Sequence, residues 1–257
     1  MKKKNLKKNF FSIITVVKNN QDDIGKTIRS VLAQNFKNFE YILIDGKSND
    51  KTLEIINKYK HKLSYILSER DNGIYFAMNK GLKLVNGQVI IFVNSGDLLT
   101  KNALKIIYNK FNQNKNADFI FGTVRRYYTT GPILKYGYNP NRLKYNFDFA
   151  TSHSTGFFIK LISLRKVGNF NTKYKCSADY DFYYRAIIKK KLTGVSTSKN
   201  ELIGIMKSGG YSSTVSFMDH LLEECSIRIN NGQNIFLIII IFFNAFFKKC
   251  LKLIKDL

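Results

Sequence analysis

The amino-acid sequence predicts an α/β fold, in which a mostly parallel, doubly wound sheet carries flanking helices. Apolar runs of strand length alternate along the chain with segments whose apolar residues recur at helical spacing. Clusters of turn-forming residues follow the ends of the apolar runs, and no internal repeat is present. Strands that alternate with helices are typical of parallel sheets covered on both faces, so this pattern favours the doubly wound arrangement.

The first half of the sequence contains five predicted strands with helices between them. The predicted strands are residues 11–17, 39–45, 63–67, 88–94 and 117–122. The predicted helices are residues 23–32, 52–59, 74–85 and 101–111. Asp22 and Asp50 precede the first two helices, where aspartate is a favoured N-cap residue.

After residue 122 the pattern becomes less regular. Residues 125–150 are rich in Tyr, Asn, Arg and Lys, which predicts an exposed loop or lid. A further strand is predicted over residues 155–160, and helices over residues 179–190 and 216–230.

Composition limits the classes of protein to which the chain can belong. Its 257 residues suffice for one sizeable domain and a tail. Lys and Arg number 42 against 18 Asp and Glu, and this net charge of +24 favours anionic partners. For any single lysine, it is equally plausible that the side chain is simply solvated at the surface and binds no anionic partner. Cys176, Cys225 and Cys250 are too far apart in sequence to suggest a disulfide framework or a zinc site, which fits a reducing cytosol.

Three polar clusters follow predicted strands: residues 18–20, 45–48 and 94–97. Each cluster alone fits ordinary turn chemistry. Ligands of open α/β sheets bind beyond the carboxyl ends of the strands, so three such clusters together predict one site. Asp97, just past a buried strand, suits Mg²⁺ or Mn²⁺, which prefer oxygen ligands. Asp179 and Asp181 are candidates for accepting a proton from a hydroxyl group.

Six segments together resemble glycosyltransferase family 2 of the polysaccharide-biosynthesis type, which has the GT-A fold. They are SIITVVKNN (12–20), IRSVLAQNFKNFEYILIDGKSNDKT (28–52), SERDNGIYFAMNKG (68–81), FVNSGD (92–97), SADYDFYYR (177–185) and GGYS (209–212). The resemblance implies a hexosyltransferase-type enzyme that inverts the anomeric carbon. Its donor would be a nucleotide-diphosphate sugar, with a UDP-sugar favoured. Its acceptor would be a hydroxyl of a glycan or lipid-linked molecule in cell-surface polysaccharide biosynthesis.

The resemblance also implies roles for individual residues. Nucleotide binding is implied for Thr15, Val16, Asn19, Asp45, Ser48, Glu69, Arg70 and Asp71. Asp97 stands at the position of the metal ligand and Asp179 at that of the catalytic base. Asp181, His153 and Arg185 are candidates for catalysis or acceptor binding. Plainer alternatives are helix capping by Asp179 and Asp181, an ion pair between Asp181 and Arg185, and an ordinary polar role for His153.

Three positions depart from the family pattern. Residues 94–97 (NSGD) leave one carboxylate where the metal-binding motif has two, and Phe76 and Ala178 replace acidic residues. A catalytically inactive homologue that acts as a scaffold is therefore the main alternative function.

The sequence divides into four regions. Residues 1–9 are a basic leader, residues 10–122 a nucleotide-sugar-binding half, and residues 123–215 an acceptor-binding and catalytic half. Residues 216–257 form a hydrophobic and basic helical tail. Its apolar run, residues 235–247, is shorter than the roughly 20 residues of a membrane-spanning helix and is followed by lysines.

The tail favours an interfacial helix on an anionic membrane surface, at the inner face of the cell membrane. A buried helix or a dimer interface is the alternative.

Other functional classes lack their signatures. No RNA- or DNA-binding motif is present, so nucleic acid is not an expected partner. The residues after the first strand are KNNQDD instead of GxGxxG, which excludes a dinucleotide-binding oxidoreductase. The same loop lacks the glycine-rich basic sequence expected of a sugar nucleotidyltransferase.

Overall fold

The computed structural model describes residues 9–128, 130–145, 150, 154–207 and 214–255. The strands in these ranges are β1 (Phe11–Val17), β2 (Phe39–Asp45), β3 (Tyr65–Ser68), β4 (Val89–Phe92), β5 (Leu98–Leu99), β6 (Phe119–Phe121), β7 (Thr123–Tyr128), β8 (Gly131–Lys135), β9 (Phe157–Lys160), β10 (Gly194–Ser196) and β11 (Leu202–Met206). The α-helices are α1 (Ile24–Leu32), α2 (Thr52–Asn57), α3 (Ile74–Leu82), α4 (Ala103–Gln113), α5 (Leu161–Val167), α6 (Ala178–Tyr184), α7 (Phe217–Asn230) and α8 (Ile235–Lys255).

The main sheet has the strand order β10-β6-β9-β4-β1-β2-β3. β1 pairs in parallel with both β2 and β4, β2 with β3, and β10 with β6, whereas β9 runs antiparallel to its neighbours. Successive residues of β1 face opposite sides: Ile13 packs in one buried apolar cluster and Ile14 in the other. The predicted mostly parallel α/β sheet with helices on both faces is thereby confirmed.

A second, smaller sheet has the order β5-β11-β7-β8. It corrects the prediction that residues 125–150 form an exposed loop, because β7 and β8 make an antiparallel hairpin. The outer part of the hairpin is indeed exposed, and its polar residues do not show the apolar run by which the other strands were predicted. β7 is fixed at its other end, where Thr123 and Val124 are buried and pair with β11.

The ends of the early helices show which caps form. The N-cap position of α2 is taken by Lys51, and Asp50, one residue earlier, accepts the backbone N–H of Thr52, the first residue of the helix, at Oδ1. Asp22 does not cap α1: the helix begins at Ile24 after Asp23, and the N–H of Ile24 donates to the Asn20 carbonyl oxygen. The preceding loop therefore folds over the first turn of the helix and supplies a backbone acceptor in place of a side chain.

The C-terminal helices pack against each other and against the domain. On α7, Ile227 and Arg228 are buried, and the guanidinium of Arg228 donates to the Lys144 carbonyl oxygen at 2.7 Å. Ile238 anchors α8, whereas most of the other apolar side chains of that helix remain exposed. Among the residues that the structure describes, no helix has the length and apolar character needed to cross a membrane.

Helix α3 lies unusually close to the sheet because Gly81 faces β1. A Cβ atom at Gly81 would lie 2.6 Å from Ile14 Cγ2, a separation that packed cores do not tolerate. Gly25 of α1 offers a contrast, since its Cβ would meet neighbours at 3.4 Å. This helix packs directly on β1, and its first turn supplies Ile74 and Ala77 to the cleft described below.

We predict that Gly81→Ala lowers the free energy of unfolding by about 1–3 kcal/mol, because overpacking exceeds the gain in helix propensity. Gly25→Ala is the matched control and should raise stability by up to about 1 kcal/mol. Urea denaturation followed by circular dichroism measures both. Equal effects of the two substitutions would contradict the proposed contact between α3 and β1.

Candidate active site

A cleft with a volume of about 720 Å³ opens at the carboxyl ends of β1, β2 and β4. Its walls come from the residues that follow these strands, from the 71–73 segment and from the first turn of α3. The lining includes Val16, Val17, Lys18, Asn19, Asn20, Asp23, Gly46, Asp71, Gly73, Ile74, Ala77, Asn94 and Ser95. The three polar clusters predicted to converge at one sheet edge do so.

The loops after β1 and β2 are joined by hydrogen bonds. The N–H of Asn19 donates to Ser48 Oγ at 2.8 Å, and the N–H of Asn49 donates to Asn19 Oδ1 at 2.9 Å. Asn19 has a positive φ of 49°, a conformation that asparagine tolerates better than most residues. These bonds hold one wall of the cleft in a fixed shape.

Asp45 ends β2 beneath this wall and is fully buried. Its Oδ1 accepts the hydroxyl of Ser48 at 2.5 Å, and its Oδ2 accepts the hydroxyl of Ser68 at 2.6 Å. The backbone N–H of Ser48 also donates to the carboxylate. The structure therefore shows Asp45 and Ser48 as a hydrogen-bonded unit that orders the loop, and their contact with a nucleotide stays a prediction.

Thr15 and Val16 are consecutive residues of β1, so their side chains point to opposite faces of the sheet. Val16 lines the cleft, whereas the buried hydroxyl of Thr15 donates to the Val93 carbonyl oxygen and bonds to Tyr41 Oη. Thr15 is therefore not brought into the cleft lining, because its side chain is used between strands.

The 69–71 segment is held by Lys80 of α3. The ammonium pairs with Glu69 at 2.8 Å and with Asp71, and it also donates to the Arg70 carbonyl oxygen. Although desolvation opposes it, hydrogen bonding to the two carboxylates raises the pKa of Lys80. Of the three predicted residues, Asp71 lines the cleft, while Glu69 and Arg70 are exposed and do not belong to its lining.

Asp97 follows Asn94 and Ser95 in the loop after β4; it is not part of the cleft lining and is 6% exposed. The Thr155 hydroxyl donates to Asp97 Oδ2 at 2.6 Å. Burial raises the pKa of Asp97 to about 7, against the opposing effects of Thr155 and of the positive charge of Arg126. The carboxyl group is thus close to half-ionised at neutral pH, and a cation nearby would shift it to the charged form.

The loop that carries Asp97 also supplies oxygen atoms of the kind that a hard divalent cation prefers. Asn94 Oδ1 and Ser95 Oγ are buried without a hydrogen-bond partner in the described part of the chain, and Asn94 and Ser95 line the cleft. An amide oxygen, a hydroxyl and one carboxylate fit the preferences of Mg²⁺ and Mn²⁺. Within the same ranges, however, no group of three or more His, Cys, Asp or Glu residues is placed to hold a metal.

Asp179 is contacted by Tyr75 of α3. Tyr75 Oη lies 3.0 Å from the Cys176 carbonyl oxygen and 3.2 Å from Asp179 Oδ1, but it has only one proton to donate. Burial raises the pKa of Asp179 against hydrogen bonds from Tyr180 N–H and Tyr75. When Asp179 is protonated it can donate to Tyr75 Oη while Tyr75 donates to Cys176, so the site accommodates an added proton.

Asp181 and Arg185 are engaged with each other. Arg185 Nε lies 2.8 Å from Asp181 Oδ2, and the guanidinium also donates to the carbonyl oxygens of Val167 and Asn169. The ion pair considered as an alternative in the sequence is therefore present, and it places Asp181 in the core. His153 lies outside the described residues.

Two features of the site have no counterpart among the predicted residues. Tyr75, the second residue of α3, contacts Asp179. In the sequence it belongs to the 68–81 segment, but no role was predicted for it. Lys207 forms an ion pair of 2.6 Å with Asp23 at the cleft edge. The two partners are 184 positions apart in the sequence, so no local sequence signal records their contact.

Comparisons with known proteins identify a family model and several relatives that match the chain. The model of "Glycosyl transferase family 2" matches residues 12–171, which is more than half of the chain. A PGL/p-HBAD biosynthesis glycosyltransferase from Mycobacterium bovis is 27% identical over 216 residues, covering 80% of each chain. Poly(ribitol-phosphate) beta-N-acetylglucosaminyltransferase TarP from Staphylococcus aureus is 36% identical over 116 residues, covering 43% of this chain and 35% of TarP.

Solved structures share the fold. Residues 1–349 of S. aureus TarS, crystallised with UDP-GlcNAc, superimpose with a TM-score of 0.72 at 19% identity, covering 93% of this chain and 73% of that one. In another TarS crystal structure, this chain spans 39% of the length. The mannosyltransferase PcManGT from Pyrobaculum calidifontis, solved with GDP-Man and Mn²⁺, gives a TM-score of 0.65 at 12% identity, with coverages of 93% and 69%.

The raised pKa of Asp97 predicts that stability falls as pH increases. The folded state holds its proton up to about pH 7 and the unfolded state only to about 3.8, so rising pH favours unfolding between these values. The loss by pH 8 is up to roughly 4 kcal/mol.

Asp97→Asn should flatten this part of the stability curve, measured by thermal unfolding in the presence of a chelator from pH 5 to pH 8. Glu54→Gln, which removes an exposed carboxylate of α2, should leave the wild-type slope unchanged. Parallel curves for the wild type and Asp97→Asn would show that burial does not hold a proton on Asp97.

Proposed function

The chain belongs to glycosyl transferase family 2, and we propose that it transfers a sugar from a nucleotide-diphosphate sugar to an acceptor hydroxyl. Its relatives are named as glycosyltransferases, and it is a glycosyltransferase with the GT-A fold. One observation carries the proposal: helix α3 lines the cleft with Ile74 and Ala77 and contacts the carboxyl group of Asp179 through Tyr75. A single helix thus connects the proposed donor pocket with a proton acceptor.

We assign the donor to the cleft walls formed by residues 10–122. Val16, Asn19 and Asp71 line the cleft, and backbone and side-chain groups after β1 and β2 offer polar partners for a ribose or base. The net charge of +24 favours a diphosphate ligand. A UDP-sugar is the favoured donor, because TarS is bound to UDP-GlcNAc in its crystal structure. Residues 123–215 would form the acceptor-binding and catalytic half.

In this mechanism Asp179 accepts the proton of the acceptor hydroxyl. The hydroxyl oxygen forms a bond to the anomeric carbon as the bond between that carbon and the diphosphate oxygen breaks, which inverts the carbon. The raised pKa of Asp179 makes it a better proton acceptor once ionised. Tyr75 would orient the carboxylate and, once Asp179 is protonated, accept a hydrogen bond from it.

Asp97, with Asn94 and Ser95, would hold Mg²⁺ or Mn²⁺ together with donor oxygens and water. A divalent cation, when bound, neutralises negative charge on the diphosphate leaving group. The positive charge of Arg126 acts near Asp97 as well. The rate contribution of one such preorganised contact is typically about 3–4 kcal/mol.

The acceptor in this proposal is a glycan or lipid-linked molecule of the cell envelope. The names of the relatives support it, because one is assigned to PGL/p-HBAD biosynthesis and another modifies poly(ribitol-phosphate). A catalytically inactive scaffold is the second candidate, favoured by the single carboxylate of residues 94–97.

Nucleotide release from a panel of UDP-, GDP- and dTDP-sugars, with and without Mn²⁺, tests the proposal. We expect one donor to be cleaved, and Asp179→Asn to lower the rate by about 10²–10⁴-fold while nucleotide binding, measured by calorimetry, is retained. Asp97→Ala should lower both the rate of donor cleavage and the affinity for the nucleotide.

The controls separate the outcomes of this panel. Asp181→Asn should lower thermal stability, because Arg185 loses its buried partner. If Asp179→Asn keeps the wild-type rate, the base lies elsewhere. If no nucleotide binds and no donor is cleaved, the scaffold function is supported instead.

We also propose that α8 rests on the inner face of the cell membrane, where a lipid-linked acceptor would be available. Apolar side chains recur along one exposed stripe of the helix. They are Phe236, Ile240, Phe243, Phe247 and Leu251, between 50% and 72% exposed. Lys248 and Lys249 adjoin this stripe. Apolar area beside lysines favours anionic lipid.

The prediction is that the protein cosediments with vesicles containing phosphatidylglycerol and less with pure phosphatidylcholine. Phe236→Ser combined with Ile240→Ser should lower binding tenfold or more, since each buried apolar side chain contributes roughly 1.5–3 kcal/mol. Ile162→Ser, which alters a 66% exposed side chain of α5, is the control and should bind like the wild type. Equal binding by all three proteins would contradict the assignment of α8.

A further inference from the structure

We propose that Glu223 of helix α7 is a positioning residue for Asp179, so that a helix beyond the matched region 12–171 is part of the transfer site. The inference rests on the proposed function, in which Asp179 is the base. Glu223 does not touch the cleft; it acts through the backbone that leads into α6.

The carboxylate of Glu223 holds three consecutive residues. Its Oε1 accepts the N–H of Lys175 at 2.5 Å, and its Oε2 accepts the N–H groups of Cys176 and Ser177 at 2.9 and 2.8 Å. The thiol of Cys176 donates to the same Oε2 at 2.8 Å. Four donors on one carboxylate fix the path of the chain just two residues before Asp179.

The segment held by Glu223, residues 175–177, also orients Tyr75. The carbonyl oxygen of Cys176 accepts from Tyr75 Oη, and this hydroxyl is the group that reaches Asp179 Oδ1. A shift of Cys176 would therefore move both the base and its hydrogen-bond partner. Glu223, Cys176, Tyr75 and Asp179 form a continuous chain of contacts through α7, α6 and α3.

The negative charge of Glu223 supports its hold on residues 175–177. Burial opposes ionisation of Glu223, but the hydrogen bonds from Cys176, Lys175 and Ser177 outweigh it and hold its pKa below the usual value. Glu223 is therefore an anion at neutral pH and accepts at both oxygens. Glutamine has the same shape but only one acceptor oxygen, and its NH₂ group would face an N–H donor. One turn earlier, His220 Nδ1 lies 3.4 Å from Ser177 Oγ, so α7 contacts this segment at two points.

Glu223→Gln should lower the turnover number for nucleotide release by roughly tenfold to a hundredfold, the effect expected when a catalytic group is displaced by about 1 Å. Nucleotide binding should stay unchanged. In the Asp179→Asn background, the same substitution should have no further effect, since Glu223 acts only through Asp179. Glu201→Gln is the matched control, because Glu201 also accepts a loop N–H, that of Ser198 at 2.7 Å, away from Asp179.

A second measurement does not depend on turnover. Amide hydrogen exchange at residues 175–177 should quicken at least tenfold in Glu223→Gln and stay unchanged in Glu201→Gln. Unchanged exchange, or an unchanged rate in an active enzyme, would overturn the inference. An equal loss of rate in the Asp179→Asn background would also overturn it, as it would reveal a general structural role. Absence of donor binding by the wild type would instead refute the proposed function.

Discussion

The buried carboxylate of Asp45 holds together the sheet edge on which the cleft depends. It lies at the end of β2, and it binds Ser48 of the following loop and Ser68 at the end of β3. Ser48 in turn accepts from the N–H of Asn19, after β1. Three strand ends therefore share one network, and loss of a buried partner of this kind leaves groups unpaired at about 1–3 kcal/mol each. The cleft is preorganised because its walls are bonded to each other before any ligand arrives.

Three aspartates show how the surroundings determine the chemistry of one residue type. Asp181 is buried and neutralised by Arg185, so it stabilises the join between α5 and α6. Asp97 is buried, and burial raises its pKa to about 7, which makes its charge sensitive to a cation. Asp179 is half-buried beside a tyrosine hydroxyl that can donate or accept. Of the three, only Asp179 combines partial exposure with a neighbouring hydroxyl group that suits proton transfer.

The parts of the fold that the sequence predicted share a physical cause. β1 and β2 are buried on both faces, so each is a mostly apolar run with the bounds that the sequence predicted. The missed strands are short or half-exposed and depend on distant partners. β11 pairs in parallel with β7, about 80 residues earlier, and β7 carries exposed polar residues that resemble a loop. Short strands of this kind are stabilised by their neighbours more than by their own composition.

By itself, the sequence determined the parallel sheet, the edge where the polar clusters meet and the aspartates at that edge, because hydrophobic period and turn residues are local properties. Tertiary structure decided which side chains face the cleft: Val16 does and Thr15 does not, and Asp181 is taken by Arg185. It alone brought Tyr75 and Glu223 to the segment around Asp179, across 104 residues in one case and 46–48 in the other. Contacts over such separations depend on how helices pack on the sheet, and no local pattern records that packing.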